Sequence, residues 1–383
     1  MKSKKFDILI LGAGASGLML ASLLKGNKSV AIVDGNSQIG KKLSITGGGR
    51  CNICNQNLKA SNFLGDEVFV RSVLKRFDQN RLIKWLKSNK IELSLEKNEQ
   101  FFCKDSAKAV IKLFEKSTRG ATLLTNHKIQ SLKYRNGEFT LQTERGQIVA
   151  KKVVVATGGV SFPALGATGV GYEIAKSFGH KISKISPALV GLTLQREQFF
   201  MKELSGISAQ VSVRVGEKRF DGNILFTHKG ISGPVILNAS LYWQRGEIEI
   251  DFLPNFSLSR LKGRKQLSTL LPLPKRLSKA LLAHLKIEDR VAERLSADEL
   301  QRLKRLKEYR FAPAGSFGYG RAEVTRGGVL SNEIDSQNMM SRLQKNLFFI
   351  GEVVNVTGEL GGYNLQWAFS SAYCAALRLN DKL

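Results

Sequence analysis

Three glycines in the spacing Gly12-x-Gly14-x-x-Gly17 stand directly behind the run Asp7-Ile8-Leu9-Ile10-Leu11. Residue types and spacing suit one task, the cradling of a dinucleotide pyrophosphate. The first glycine makes a tight turn, the second lets the backbone approach phosphate, and the third lets a helix pack closely on its strand. Ala15 and Ser16 open that helix, whose N-terminus carries partial positive charge. Asp34 stands 22 residues after Gly12, where a carboxylate accepts hydrogen bonds from an adenosine ribose. A carboxylate there argues for an unphosphorylated ribose, hence FAD or NAD rather than NADP.

Two further glycine turns follow apolar strands: Ala156-Thr157-Gly158-Gly159 after Lys152–Val155, and Gly351-Glu352 after Asn346–Ile350. Gly361-Gly362-Tyr363-Asn364-Leu365 then opens the last helix. An NAD dehydrogenase needs no such second and third strand ends, whereas a flavin dinucleotide extended across a sheet uses all of them. FAD is therefore the expected cofactor, with Thr157, Gly158, Gly159, Gly351 and Glu352 along it. Gly362, Tyr363, Asn364 and Leu365 are expected at the flavin end, where a helix N-terminus stabilises the charge of a reduced flavin. Only one full G-x-G-x-x-G unit exists, so NAD(P)H is expected as a transient electron donor without a domain of its own.

Hydride transfer to an alkene carbon needs an acid at the other carbon. The candidates are Cys51, His228 and Tyr363, and each has a plain alternative: a buried thiol, a satisfied imidazole, a ring packed beside the cofactor. Arg50 lies in the polar glycine loop Gly40–Asn52, with Lys42, Gly48 and Asn52. Its planar fork suits an oxyanion, either the pyrophosphate or a substrate. Cys51 and Cys54 form a CxxC, but zinc needs two more ligands, and His127, His180, His228 and His284 offer none at matching spacing. No metal is expected.

These residues need a scaffold. Residues 5–11, a helix from Ser16 to Lys25 and a strand at Ser29–Val33 make a βαβ unit of about 30 residues. Helical patterns follow at Glu67–Phe77, Gln79–Lys90 and Ala107–Ser117, then a meander from Thr122 to Gln147 turning at Asn136-Gly137. From about Pro187 the pattern alternates, with strands at Leu189–Leu194, Ala209–Val215 and Glu247–Phe252. Residues 257–310 read as helices broken at Leu271-Pro272-Leu273-Pro274, and short strands return near Ala322–Leu330. The fold class is α/β: a split Rossmann-like FAD-binding domain (1–187 and 342–383), an inserted antiparallel β domain (188–256 and 311–341) and a small basic helical subdomain (257–310).

The 383 residues carry 59 Lys/Arg against 32 Asp/Glu, a formal charge of +27. Such a balance draws polyanions at long range, nucleic acid first and an anionic membrane surface second. Within 257–310, fifteen Lys/Arg face six Asp/Glu. No apolar run is long enough to span a bilayer, and the basic start (Met1-Lys2-Ser3-Lys4-Lys5) leads into a strand rather than a signal-peptide core. A cytoplasmic protein without stable membrane association or an obligate protein partner is expected.

The chain resembles the YhiN/BaiN-like family of FAD-dependent oxidoreductases, also described as aminoacetone-oxidase-like flavoproteins. The resemblance rests on Gly48-Gly49-Arg50-Cys51-Asn52, Phe226–Pro234, Val324–Val329 and Gly351-Glu352 through Trp367. It departs at Cys54, where threonine is common, and at Asn355 and Thr357, where acidic residues are usual. The resemblance implies a Rossmann-like FAD domain with a β-rich insert, and members are linked to dihydrouridine formation in large-subunit ribosomal RNA. The leading expectation is thus a flavin-dependent reductase of a uridine in RNA (23S-type ribosomal RNA or a ribosome precursor). The alternatives are a small-molecule flavoenzyme, of amine oxidase or enoyl reductase type, and an RNA-binding protein that holds FAD structurally.

Overall fold

The computed structural model describes residues 4–380; Met1 to Ser3 of the basic start lie outside it. Strand β1 (Lys4–Leu11) has two parallel neighbours, β2 (Val30–Val33) on one side and the long strand Gly146–Val155 on the other. Thr122–Leu124 extends the sheet beyond β2, and Leu347–Phe349 pairs with the second half of Gly146–Val155. Ile8–Leu11, Val30–Val33 and Val153–Val155 are all buried, as their unbroken apolar sequences require of strands covered on both faces.

The register sets Leu124, Val33, Leu11, Val155 and Phe349 level. Five C-terminal ends therefore open on one edge. Backbone bonds stitch the residues leaving it: Asp34 N donates to Leu124 O (3.0 Å), Gly12 N to Val33 O (2.8 Å), Ala156 N to Leu11 O (2.8 Å) and Ile350 N to Val155 O (3.1 Å). From β1 the chain runs first to one side and later to the other, which is the switch point where doubly wound sheets leave a crevice.

The first half of the long strand pairs antiparallel with Glu138–Thr143, which turns back on Ile129–Arg135. The turn residues Asn136 and Gly137 have φ of 52° and 83°, the left-handed pair that an Asn-Gly hairpin turn supplies. Helix α1 (Ala15–Leu23) packs beside the last helix, Tyr363–Asn380. The Asn380 side chain accepts from Lys25 N (2.8 Å) and donates to Leu23 O (2.9 Å), closing the end of α1. Helices Glu67–Arg76 and Gln79–Ser88 are N-capped by Asp66 and Asp78, and Ala107–Ser117 forms as its periodicity predicts.

The chain divides into two compact units, one running to Ser186 and resuming at Val324, the other Pro187–Glu323. The return comes at 324 rather than at the expected 342. Residues 324–330 lie against the first unit's backbone: Ser183 N donates to Gly328 O, Val329 N to Val353 O and Asn355 N to Val329 O, each at 2.9 Å. A Cβ on Gly328 would meet Val353 O at 2.4 Å.

The second unit holds an antiparallel sheet in the order Tyr309–Phe311, Ile248–Asp251, Ser208–Val215, Lys218–Thr227, Gly230–Ser232, Leu192–Thr193, Gly315–Ser316. The strand expected at Leu189–Leu194 shrinks to two residues, and Leu189 takes the left-handed φ of 50°, which ends extended pairing. The segment 257–310 does contain helices, Lys275–His284 and Ala297–Lys304. Their apolar faces (Leu277, Leu281, Leu303) share one core with Val211, Val213 and Ile250 of the sheet and with Phe252 just behind it. They form a layer on that sheet rather than a core of their own.

Candidate cofactor and active site

The glycine loop is fastened from Asp34. One carboxylate oxygen accepts from Ala13 N (2.7 Å) and the other from Asn36 N (2.7 Å). Each oxygen keeps a further lone pair that can accept from a ribose hydroxyl. Gly12 has φ of 111°, and a Cβ there would meet Ala156 O at 2.4 Å. A Cβ on Gly17 would meet Gly12 O at 2.0 Å, whereas one on Gly14 would meet nothing within 4 Å. Two glycines thus close the turn on the sheet, and the middle one faces open space at the start of α1.

Glu352 ties three segments of the same edge together. One oxygen accepts from Thr325 N (2.7 Å) and the other from Lys42 Nζ (2.9 Å). Thr325 Oγ1 in turn accepts from Val160 N (2.8 Å) and Ser161 N (3.0 Å), just behind Gly158-Gly159. The Gly351 turn is held by the last helix: Gly351 N donates to Ser371 Oγ (2.9 Å) and Trp367 Nε1 donates to Gly351 O (3.0 Å). Ser16 faces this turn, since a Cβ on Gly351 would meet Ser16 Oγ at 2.6 Å.

The loop before Asn52 turns through Gly47, Gly48 and Gly49, all with positive φ, and Cys51 follows at 56°. Arg50 is exposed, pairs with Glu96 and lies 4.6 Å over the Phe102 ring. Its neighbours here are a carboxylate and an aromatic face. Cys51 is fully buried, and burial pushes its thiol up to about 12 against a smaller lowering by Thr46. Cys54 is likewise buried and pushed up to about 12 by desolvation. Among the described residues no three metal-ligating side chains come together.

Tyr363, at the start of the last helix, is packed edge-on against Phe63 with ring centroids 5.8 Å apart. Its hydroxyl donates to Asn57 O (3.4 Å), and burial, with Glu359 adding to it, pushes the phenol up to about 12. The backbone of Gly362 sits on that of Cys54, 2.6 Å from where a Cβ would stand. The amide of Asn364 is occupied by Gly358, accepting from its N and donating to its O, both at 2.8 Å, and Leu365 beside it is half-buried. His228 is exposed in the hairpin turn between Lys218–Thr227 and Gly230–Ser232 of the second unit.

The HI0933-like protein Rossmann domain family matches residues 6–378. The chain belongs to that family. A ribosomal RNA dihydrouridine synthase of Haemophilus influenzae is 37% identical, with 99% of each chain covered. One from Escherichia coli is 36% identical over 97% of this chain and 98% of its own. A 3-dehydro-bile acid delta(4,6)-reductase of Clostridium scindens is 29% identical over 96% and 97%. Among solved structures, a 3-ketosteroid-delta4-(5alpha)-dehydrogenase from Rhodococcus jostii matches with a TM-score of 0.54 at 12% identity, covering 100% of this chain and 98% of that one. Quinol fumarate reductase FrdA of Escherichia coli matches with a TM-score of 0.52 at 15% identity, covering 99% of this chain and 70% of that one. At such identities these two share the fold alone.

This HI0933-like protein is an FAD-dependent oxidoreductase. Its residues fit the cofactor. Thr157 Oγ1 and Asn52 Oδ1 are buried without a hydrogen-bond partner among the described residues, and buried polar atoms normally have one. Asn52 Nδ2 is already engaged, donating to Gln100 Oε1 at 2.5 Å. A Cβ on Gly48 or Gly158 would, as at Gly14, meet nothing within 4 Å. Thr325 is the site residue that its own sequence neighbourhood does not reveal. Val324–Val329 stands out as a motif, yet nothing local shows that its threonine reaches Val160 and Ser161.

Proposed function

We propose that this protein reduces a uridine to dihydrouridine in large-subunit ribosomal RNA. The observation that carries the reading is end-to-end similarity to two ribosomal RNA dihydrouridine synthases at 36–37% identity. The charge of +27 supports a polyanionic substrate. The residues that hold FAD are those of the strand edge. The α1 N-terminus and the backbone at Gly14, Ala15 and Ser16 receive the pyrophosphate, and Asp34 receives the ribose. Gly158 and Gly159 and the turn held by Lys42, Thr325 and Glu352 line the extended dinucleotide. The N-terminus of Tyr363–Asn380 faces the flavin.

FAD, when reduced, supplies a hydride for C6 of the uracil. Tyr363 supplies the proton for C5: its phenol, pushed up to about 12 by burial, is protonated at neutral pH, and it stands in the first turn of the helix that faces the flavin. NAD(P)H is the transient electron donor, and the cytoplasm, where ribosomes are assembled, is the place of action. The experiment is mass mapping of ribosomal RNA from cells with and without the gene. One dihydrouridine disappears on deletion; an unchanged map overturns the reading.

The Clostridium relative, a bile acid reductase at 29% identity over nearly the whole chain, favours a second reading, reduction of a small unsaturated molecule. In that case turnover is indifferent to RNA and the ribosomal map is unaffected by deletion.

A further inference from the structure

The cations of the second unit fall into two groups. Arg214, Arg290, Arg302, Lys307 and Arg310 are each paired with a carboxylate. Between Asp251 and Glu288, however, the chain has no acidic residue and eight Lys/Arg. All eight are exposed, and none has a carboxylate within ion-pair distance among the described residues. Arg260, Lys262, Arg264 and Lys265 fall within one six-residue loop. Lys275, Arg276 and Lys279 are exposed on the helix Lys275–His284, whose Leu277 and Leu281 are buried. A surface charged only for solubility would have its cations interspersed with acids. Here no ion pair offsets the repulsion among the cations, Glu293 being tied to the loop only through its backbone N, which donates to Gly263 O (3.1 Å), and a polyanion would relieve it.

An aromatic lies on a segment fastened to that helix. The segment Arg196–Leu204 is joined to that helix twice, through Arg276 Nη2 donating to Glu203 O (2.8 Å) and through Phe200 stacked on His284 at 4.4 Å. On the same segment Phe199 is 44% exposed, and Lys202 Nζ lies 3.4 Å from the centroid of its ring. An exposed ring among unpaired cations is the combination that binds single-stranded nucleic acid, with phosphates taken by the cations and a base stacked on the ring. Glu197 and Glu203 share the segment, yet neither pairs with the eight.

We propose that this surface, the loop Arg260–Lys265 with the exposed face of Lys275–His284 and Phe199, docks an unpaired stretch of RNA. The inference rests on the RNA reading above and specifies where the substrate is gripped. It is tested on the FAD-loaded full chain with a fluorescently labelled, unstructured single-stranded RNA, titrated at several salt concentrations. The quadruple variant Lys262→Gln/Arg264→Gln/Lys275→Gln/Lys279→Gln changes only exposed side chains, and its flavin content and flavin reduction by dithionite should match wild type. Its RNA affinity should fall at least tenfold, and the slope of log affinity against log salt should become shallower by about 3, at about 0.7 per phosphate contact. Phe199→Ala should weaken binding about tenfold with the slope unchanged, as loss of one stacked base does.

A quadruple variant that binds RNA like wild type overturns the surface while leaving the RNA reading intact. Wild-type protein that shows no salt-dependent RNA binding overturns both. Retention of wild type by anionic phospholipid vesicles, without RNA binding, assigns the surface to a membrane and overturns the proposal.

Discussion

A valine at position 14 separates the two tasks of the glycine loop. Gly14 has φ of −87°, which any residue adopts, and open space where a side chain would stand. Gly14→Val should therefore fold with the unfolding midpoint of wild-type protein stripped of FAD, and purify without flavin absorbance, because the side chain fills the space of the pyrophosphate. Full flavin occupancy would contradict the assignment of the site. Gly17→Ala should behave differently: its Cβ meets Gly12 O at 2.0 Å, so it should lose about 1–3 kcal/mol of stability along with the cofactor. Thr325→Val removes the acceptor of two backbone N–H groups at a fully buried position. A loss of about 2–4 kcal/mol in urea unfolding is expected, and a change under about 0.5 kcal/mol would remove Thr325 from the account. Tyr363→Phe should retain FAD while turnover falls about a hundredfold, the ordinary worth of a general acid. Undiminished turnover would mean that the proton comes from another group.

At the scale of elements, the βαβ unit, the three helices after it and the Asn-Gly hairpin were legible because each is specified by local pattern. Gly12 to Gly17 and Asp34 could likewise be placed from spacing alone. The return at Val324 was not legible. Its strand is three residues long, Val324–Arg326, and contacts with residues distant in the chain, Val160, Ser161 and Glu352 among them, place it. Arg50 shows the same limit, since its pairing with Glu96 joins residues 46 apart that no local pattern connects.

The segment after Val170–Ser177 is held by a buried cluster of this long-range kind. His180 Nδ1 lies 3.0 Å from Glu333 Oε2, its Nε2 lies 2.7 Å from Ser341 Oγ, and its ring packs edge-on against Phe349. Burial holds the imidazole below its usual value of 6.5, against a weaker raising pull from Glu333. The unfolded chain therefore takes up the proton first as pH falls. The stability that depends on neutral His180 is complete above about 6.5 and is lost as pH drops through the lower folded value. Urea midpoints should decline below that pH, and His180→Asn should flatten the decline. The remaining slope belongs in part to His284 in the second unit, held low by burial and by Arg305. An equally steep decline in the variant would show that His180 does not carry it.

Across the whole molecule, the sheet edge is the cradle we propose for the redox cofactor, and the second unit carries a basic surface free of ion pairs among the described residues. The charge of +27 was plain from composition. The division of cations into paired and unpaired sets was not, because pairing depends on which side chains the fold brings together. The most direct test of the central claim is a reaction in a tube. The FAD-loaded protein is mixed with NADH or NADPH and ribosomal RNA from cells lacking the gene, and the RNA is then digested and read by mass spectrometry. One uridine of the large-subunit RNA should gain two hydrogens, with wild-type protein and not with Gly14→Val. Oxidation of the nicotinamide with no uridine changed would contradict the account.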